Sequence, residues 1–319
     1  MAQYRDALPQ LSGDLFLMDA GLETDLIFNH GIDIPEFAAH TLLPDPKGRA
    51  ALAAYYRGFL SLANDTGAGF IFDTQTWKAH MHWAKDLGAS EDDLRRATHD
   101  SVGFITELRN EFSGNAKPIV LNGLIGPRGD DYAPDEAVAA DEAERYHAKQ
   151  IGWLAETEVD MVNGLTFTQS DEAIGFVRAA RAAGMPSVMS FTVELDGKLP
   201  TGQPLGEAIQ AVDDATDQAA AYFMVNCAHP DHFFHVLDDE TWTRRIHGIR
   251  CNASRQSHAE LDACEVLDDG DPAEFGGQHR ATKDPMPWDN NFGRVRKSVR
   301  EGKGVSRGGR RNSKKKKRK

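Results

Sequence analysis

The chain has 319 residues, 40% hydrophobic and 27% charged, an ordinary composition for a globular protein with a sizeable core. It contains no run of 18 apolar residues, which excludes a membrane-spanning helix, and its N-terminus (Met1-Ala-Gln-Tyr-Arg-Asp6) has no apolar signal core, which predicts a cytoplasmic protein. The net charge of −13 is unevenly spread: residues 294–319 carry fourteen Lys or Arg and one Glu, leaving −26 on residues 1–293, an acidic body that argues against nucleic-acid binding by the folded part.

Taken in order, the chain alternates short apolar runs with helical patterns. Leu15–Met18 reads as a strand ending in Asp19-Ala-Gly-Leu-Glu-Thr24, and Lys47–Asn64 as a helix with Leu52, Tyr55, Tyr56, Phe59 and Leu62 at helical spacing. Gly67-Ala-Gly69 then punctuates, before a second strand, Phe70–Phe72, that ends in Asp73-Thr-Gln-Thr76. A helix over residues 91–112 leads to a third strand, Ile119–Leu121, ending in Asn122-Gly123. A helix over Asp135–Thr157 precedes the fourth, Val159–Val162, ending in Asn163. The helix over 170–184 is capped by Gly184, and strand five, Ser187–Phe191, follows. A helix near 205–219 leads to strand six, Tyr222–Val225, which finishes in Asn226-Cys227, and the last clear strand is Ile246–Ile249, ending in Cys251-Asn-Ala-Ser254.

Strands alternating with helices of this length specify a parallel sheet with crossover helices. Seven such units favour a (β/α)₈ TIM barrel over a doubly wound sheet, with the last strand atypical or missing. The domain expectation is a barrel over residues 1–293 and a disordered basic tail over 294–319. In such a barrel the polar residues at the strand ends (Asp19, Asp73, Asn122, Asn163, Ser190, Asn226 and Asn252) gather at one mouth, where active sites lie. Asp and Asn also begin turns and cap helices, a bland alternative at each position. Cys227, Cys251 and Cys264 are too few and too irregularly spaced for a disulfide framework, and Cys227 is the reactive side chain at that mouth.

These motifs together resemble the homocysteine S-methyltransferase family, which includes betaine–homocysteine and S-methylmethionine–homocysteine methyltransferases, over about residues 14 to 280. Met18-Asp-Ala-Gly-Leu-Glu-Thr24 is similar to the family's Asp-Gly-Gly opening, and Asp73-Thr-Gln-Thr-Trp-Lys-Ala79 to its Thr-Asn-Thr-aromatic segment. Gly126-Pro-Arg-Gly129 resembles its Gly-Pro loop, Tyr146-His-x-x-Gln150 its helix signature, and Val225-Asn-Cys227 its Val-Asn-Cys. The resemblance implies an enzyme that moves a methyl group to the zinc-bound thiolate of homocysteine or a related thiol, making methionine. Its partners are a small-molecule thiol and a methyl donor, and its cofactor is Zn²⁺ held by three thiolates. Coordination to zinc deprotonates a thiol whose free pKa is about 8.5 while leaving it nucleophilic. Cys227 is then one metal ligand, with Asp19, Gly21, Glu23, Asn226 and Asn252 on the substrate.

The chain departs from this family in two places. The Gly-Gly-Cys-Cys-Gly that supplies the other two thiolates after strand eight is absent, and Gly276-Gly-Gln-His279 lies in the preceding helix. The segment where strand eight belongs reads Trp288-Asp-Asn-Asn-Phe-Gly-Arg-Val-Arg-Lys297 and runs into a basic tail, the pattern a reading-frame change would leave. Leu165-Thr166 stands where the family places Glu-Thr, the Glu gripping the homocysteine amine. The alternative is therefore a catalytically degenerate barrel that binds a small molecule or a partner.

The remaining residues have competing readings. His229, His232 and His235 are candidate replacement ligands, but their spacing fans them around more than one helix face. Cys251 should face the helix layer if Asn252 faces the mouth, which makes it core, as Cys264 is expected to be. Arg128 faces an anionic group or simply a turn. The run Lys314–Lys319 has no interleaved aromatics, so any nucleic-acid contact through it is non-specific.

Overall fold

The seven apolar runs become parallel strands because β-branched and aromatic residues on both faces suit a sheet buried on both sides. A computed structural model of the chain describes residues 1–112, 117–129, 137–237, 241–264, 268, 270–281 and 291–295. The strands are β1 (Phe16–Met18), β2 (Gly69–Asp73), β3 (Ile119–Ile125), β4 (Met161–Phe167), β5 (Ser187–Phe191), β6 (Ala220–Asn226) and β7 (Ile246–Asn252). An eighth, β8 (Asn291–Val295), lies inside the segment expected to hold it and pairs in parallel with β7 and β1, closing the barrel in sequence order. The last strand is thus of the atypical kind rather than missing. Of the tail expected over residues 294–319, Arg294 and Val295 belong instead to β8, paired with β7, and residues 296–319 lie outside the described residues.

Nine α-helices occur among the described residues: α1 (Leu22–Phe28), α2 (Pro46–Thr66), α3 (Glu91–Phe112), α4 (Ala140–Ala155), α5 (Ser170–Ala182), α6 (Leu205–Thr216), α7 (Pro230–Phe233), α8 (His258–Ala263) and α9 (Pro272–Ala281). Their ends follow local chemistry. Asp45 caps α2 by accepting from Gly48 N at 3.0 Å, with Pro46 in the first turn, and Gly67 ends it in the left-handed conformation at φ 67°. The helix expected to run to residue 219 stops at Thr216, where Asp217 and Gln218 both turn left-handed.

Alternation along the strands divides the core. Outward residues such as Phe70, Phe72, Leu121, Val162, Phe191, Phe223, Val225 and Ile249 join the layer under the helices. Inward residues Phe16, Met18, Ile71, Val120, Met161, Val188, Tyr222 and Met224 form a separate apolar plug inside the barrel, with Tyr4 and Leu8 of the N-terminal segment packed beneath it. Strands β3 and β4 run three and four residues past Asn122 and Asn163, so these two asparagines lie within the barrel rather than at its lip. The glycines that follow them are not stops. A Cβ at Gly123 would meet Leu154 of α4 at 2.7 Å, and one at Gly164 would meet Met189 and Phe167 at 2.9 Å.

The floor is tied by a buried acid. Asp160 Oδ1 accepts from Gln3 N (2.7 Å) and Tyr4 N (2.8 Å), and its Oδ2 from Leu121 N (2.9 Å), pinning the N-terminal segment against β3. Charge-assisted bonds of this kind are worth about 1.5–3 kcal/mol each, and three share one carboxylate. Asp160→Ala should therefore cost about 3–5 kcal/mol of stability, read as a lower urea midpoint at unchanged slope.

Candidate active site at the barrel mouth

The mouth is built from the inward positions above the apolar plug. Asp73 and Asn122 share one level, and Asn122 Nδ2 donates to Asp73 Oδ1 at 2.7 Å. Ser190 Oγ donates to Asn163 Oδ1 at 3.0 Å. All seven strand-end polar residues named from the sequence are buried.

The centre of this layer is Arg250, which the sequence reading passed over. Its side chain is 7% exposed, and its guanidinium reaches Asp73 Oδ2 at 2.6 Å, Asp19 Oδ1 at 2.9 Å and Ala20 O at 2.5 Å. A signal for it existed: if Asn252 faces the mouth, strand alternation makes Arg250 face it too. Tyr55 of α2 completes the arrangement, donating to Asp19 Oδ2 and accepting from Ala20 N, both at 3.1 Å. Burial raises the Asp19 carboxyl from 3.8 to about 7, against the opposing pull of Arg250. Glu23, in the first turn of α1, is half-buried and also raised by burial, while Arg250 and Lys78 favour its charge. Gly21 is the N-cap of the same helix.

The opposite side of the mouth holds Cys227, directly after β6. It is half-buried, and its backbone is left-handed at φ 54°; Thr166, in β4, is left-handed too at φ 67°. Such conformations cost about 1–3 kcal/mol each for non-glycine residues, so the surroundings must fix them. Asn226 does so through both ends of its amide: Oδ1 accepts from Thr166 N (3.0 Å) and Nδ2 donates to Thr166 Oγ1 (2.8 Å). Asn252 Nδ2 donates to Cys227 O at 2.8 Å, and His258 Nε2 lies 2.9 Å from the same carbonyl while its Nδ1 contacts Glu194 Oε1 at 2.9 Å. Cys227 Sγ lies 3.8 Å from Thr166 Oγ1. Asn226 and Asn252 thus bond protein groups that shape the turn under the thiol.

The other motif residues hold the loops around the mouth. Tyr146 OH bonds His80 Nδ1 (2.6 Å) and His82 N (2.9 Å), and Gln150 Nε2 donates to Thr76 O (2.7 Å). His147 Nε2 meets Glu172 Oε1 at 2.9 Å, and the same oxygen accepts from Arg128 N at 2.6 Å, so one buried carboxylate anchors the Gly-Pro-Arg-Gly turn. The Arg128 guanidinium pairs with Glu142 on α4. Trp77 Nε1 donates to Leu165 O at 3.2 Å, and Lys78 Nζ sits 3.7 Å over the ring of Trp83.

Among the described residues, metal ligands are not assembled at the mouth. Cys251 is buried in the layer under the helices, as expected, whereas Cys264 is half-buried and bonds Gln256 Oε1 at 3.3 Å instead of joining the core. Burial lowers His229 to about 4, and its Nδ1 accepts from Asp231 N; His232 Nε2 contacts Arg255 O at 3.0 Å, and His235 is exposed. Among the described residues no three His, Cys, Asp or Glu stand where a metal ion would bind them. Nor is any helix among them long and apolar enough to cross a membrane.

A closed parallel barrel with its polar groups gathered at the carboxyl ends of the strands defines an α/β-barrel protein of the enzyme type. The family model for homocysteine S-methyltransferase matches residues 16–288, and the chain belongs to that family. Its fold is similar to the Escherichia coli homocysteine methyltransferase MmuM. The metallated form gives a TM-score of 0.68 at 14% identity, covering 90% of this chain and 93% of that one. The oxidized form gives 0.67 at 17% identity, covering 90% and 92%. No curated protein matches the sequence.

The raised Asp19 carboxyl has a measurable consequence. Its folded value lies above its unfolded one, so its contribution to stability is complete below about pH 4 and is lost as pH rises to about 7. Each pH unit in that window carries about 1.4 kcal/mol. The stability difference between the protein and Asp19→Asn, measured by urea unfolding, should therefore change by about 3–4 kcal/mol between pH 4 and 7.5, with the protein losing ground as pH rises.

Proposed function

We propose that the barrel mouth binds a small thiol-bearing amino acid, the methyl acceptor of its family, and that this chain does so without completing the family's zinc site. The single observation behind this is Cys227: its turn is held from β4, β7 and α8, yet it is the one thiol at the mouth among the described residues. Zinc bound in the family's way needs three thiolates. The residues present do not fit it, because Cys251 faces the helix layer, Cys264 lies against Gln256, and the sequence from residue 282 to 319 contains neither Cys nor His.

Acceptor binding draws on groups already in place. Glu23 and Asp19 offer negative charge to an ammonium, Gly21 opens the helix beside them, and Cys227 marks the side where a thiol would lie. Leu165, buried at the mouth's edge, supplies an apolar wall for the carbon chain. A second reading, zinc-dependent S-methyl transfer producing methionine, is favoured by one feature: the strained turn that presents Cys227 is still fully supported.

Metal content separates the two. Protein purified without added metal, with Cys227→Ala alongside, should carry less than about one zinc per ten chains in both forms and show no methyl transfer to homocysteine. Near-stoichiometric zinc that disappears in Cys227→Ala, together with transfer, would establish the second reading instead.

A further inference from the structure

The layer of helices around the barrel thins beside α6. Between β6 and β7 the described residues form only α7, four residues long, and two single turns of 3₁₀ helix, where parallel strands ordinarily take a full crossover helix. A cleft of about 270 Å³ lies there, open to solvent and sharing no residue with the mouth. Sites for drug-sized ligands run from roughly 300 to 1,000 Å³, so this one suits a smaller molecule, of amino-acid size. One wall is the turn-back of residues 194–204, closed where Glu194 N donates to Lys198 O (2.8 Å) and Leu199 N to Gln203 O (2.9 Å). The others are the first turn of α6 and the pair Val236 and Trp242. Two glycines let these walls approach. A Cβ at Gly206 would meet the Trp242 ring at 2.8 Å and its indole nitrogen at 3.0 Å, and one at Gly197 would meet Val236 at 2.8 Å.

Trp242 points to a ligand. It is only 7% exposed, yet its indole N–H has no hydrogen-bond partner among the described residues. A buried Trp N–H usually finds a partner, and it can only donate. It borders the cleft at the N-terminal end of α6, where no side chain caps the helix and the dipole favours negative charge. Both features ask for an acceptor, a carboxylate above all. The other charges are mixed: Lys198 pairs with Asp196 at 3.6 Å, and Glu207 lines the cleft from the exposed side of α6. A simple anion would meet two carboxylates here, and a simple cation would meet an ammonium, an N–H and a helix N-terminus. A molecule carrying both signs matches the set, and Pro204, Leu205 and Val236 give it an apolar wall.

We propose that this cleft is a second small-molecule site, outside the mouth, for a zwitterionic amino acid with an apolar side chain. The Trp242 N–H and the end of α6 take its carboxylate, Glu207 takes its ammonium, and its side chain lies against Val236 and Leu205. Glu207 also favours the dipole of α6 from the first turn, so recognition has to be separated from helix support.

Three related ligands provide that separation. L-Leucine carries both charges and no thiol; 4-methylpentanoate lacks only its ammonium, and 3-methylbutan-1-amine only its carboxylate. Each is titrated calorimetrically into the full chain, into Trp242→Phe, which keeps a ring and loses the N–H, and into Glu207→Gln, with melting temperatures recorded. The protein should bind L-leucine at one site, about tenfold or more tightly than either analogue. Trp242→Phe should weaken L-leucine about tenfold, and Glu207→Gln should bring L-leucine and 4-methylpentanoate within about twofold of each other. An affinity for L-leucine that stays within about twofold in either folded variant puts the ligand elsewhere and overturns the assignment. Should Trp242→Phe fail to fold, Glu207→Gln alone decides. Equal binding of L-leucine and 4-methylpentanoate by the unaltered protein overturns the zwitterion assignment. Absence of L-leucine binding up to about 20 mM, by calorimetry and indole fluorescence alike, overturns the site itself.

Discussion

The architecture of the mouth depends on one buried cation shared by two acids. Arg250 leaves β7 and bonds Asp73 at the end of β2, Asp19 just after β1 and the carbonyl of Ala20. Strand β8 lies between β7 and β1 in the barrel, so this clasp spans the seam from inside. The backbone seam is short there, since β8 meets β1 only at Phe16–Asn291 and Leu17–Phe292. A buried ion pair is weak evidence of net stability, because desolvation offsets most of the attraction. What it does supply is position. An uncompensated charge in this site is so costly that Asp19, Asp73 and Arg250 must stay together, and the elements they ride on stay with them.

Across the mouth the problem is solved with neutral groups. Thr166, one residue before the end of β4, and Cys227, directly after β6, are both left-handed; Asn226, which precedes Cys227, bonds Thr166 through both amide atoms while Asn252 and His258 hold the Cys227 carbonyl. A thiol is thereby presented at a fixed place in a polar mouth. The fold and the family follow the homocysteine S-methyltransferases, but the cysteines needed beside Cys227 have no counterpart in this sequence.

Much of this was legible in the residues. The seven apolar runs, their polar ends and the outward turn of Cys251 follow from period-two alternation, which burial on both sides of the sheet enforces. The extent of β3 and β4 was not legible, because Gly123 and Gly164 look like breaks until the packing of Leu154 and Met189 onto them is seen. Arg250 escaped because β7 was ended at Ile249, three residues short of Asn252, and a buried arginine is recognisable only with its two acids, 177 and 231 residues away in sequence. Tyr55 read as one more apolar position on α2, and nothing local announces that its hydroxyl meets Asp19. The strand in Asn291–Val295 has only Phe292 and Val295 as apolar residues and runs into a basic stretch, and pairing with β7 reveals it.

Arg250 and its acids act as a unit, and a double-mutant cycle tests this most directly. Urea unfolding at pH 7 would be compared for the protein, Arg250→Met, Asp73→Asn and the double variant. A unit of this kind predicts that Arg250→Met alone costs about 3–5 kcal/mol and that adding Asp73→Asn costs less on that background than on the native one, with a coupling of about 2 kcal/mol or more. Costs that add to within about 0.5 kcal/mol would mean that the two residues do not depend on each other and that the mouth is held by something else.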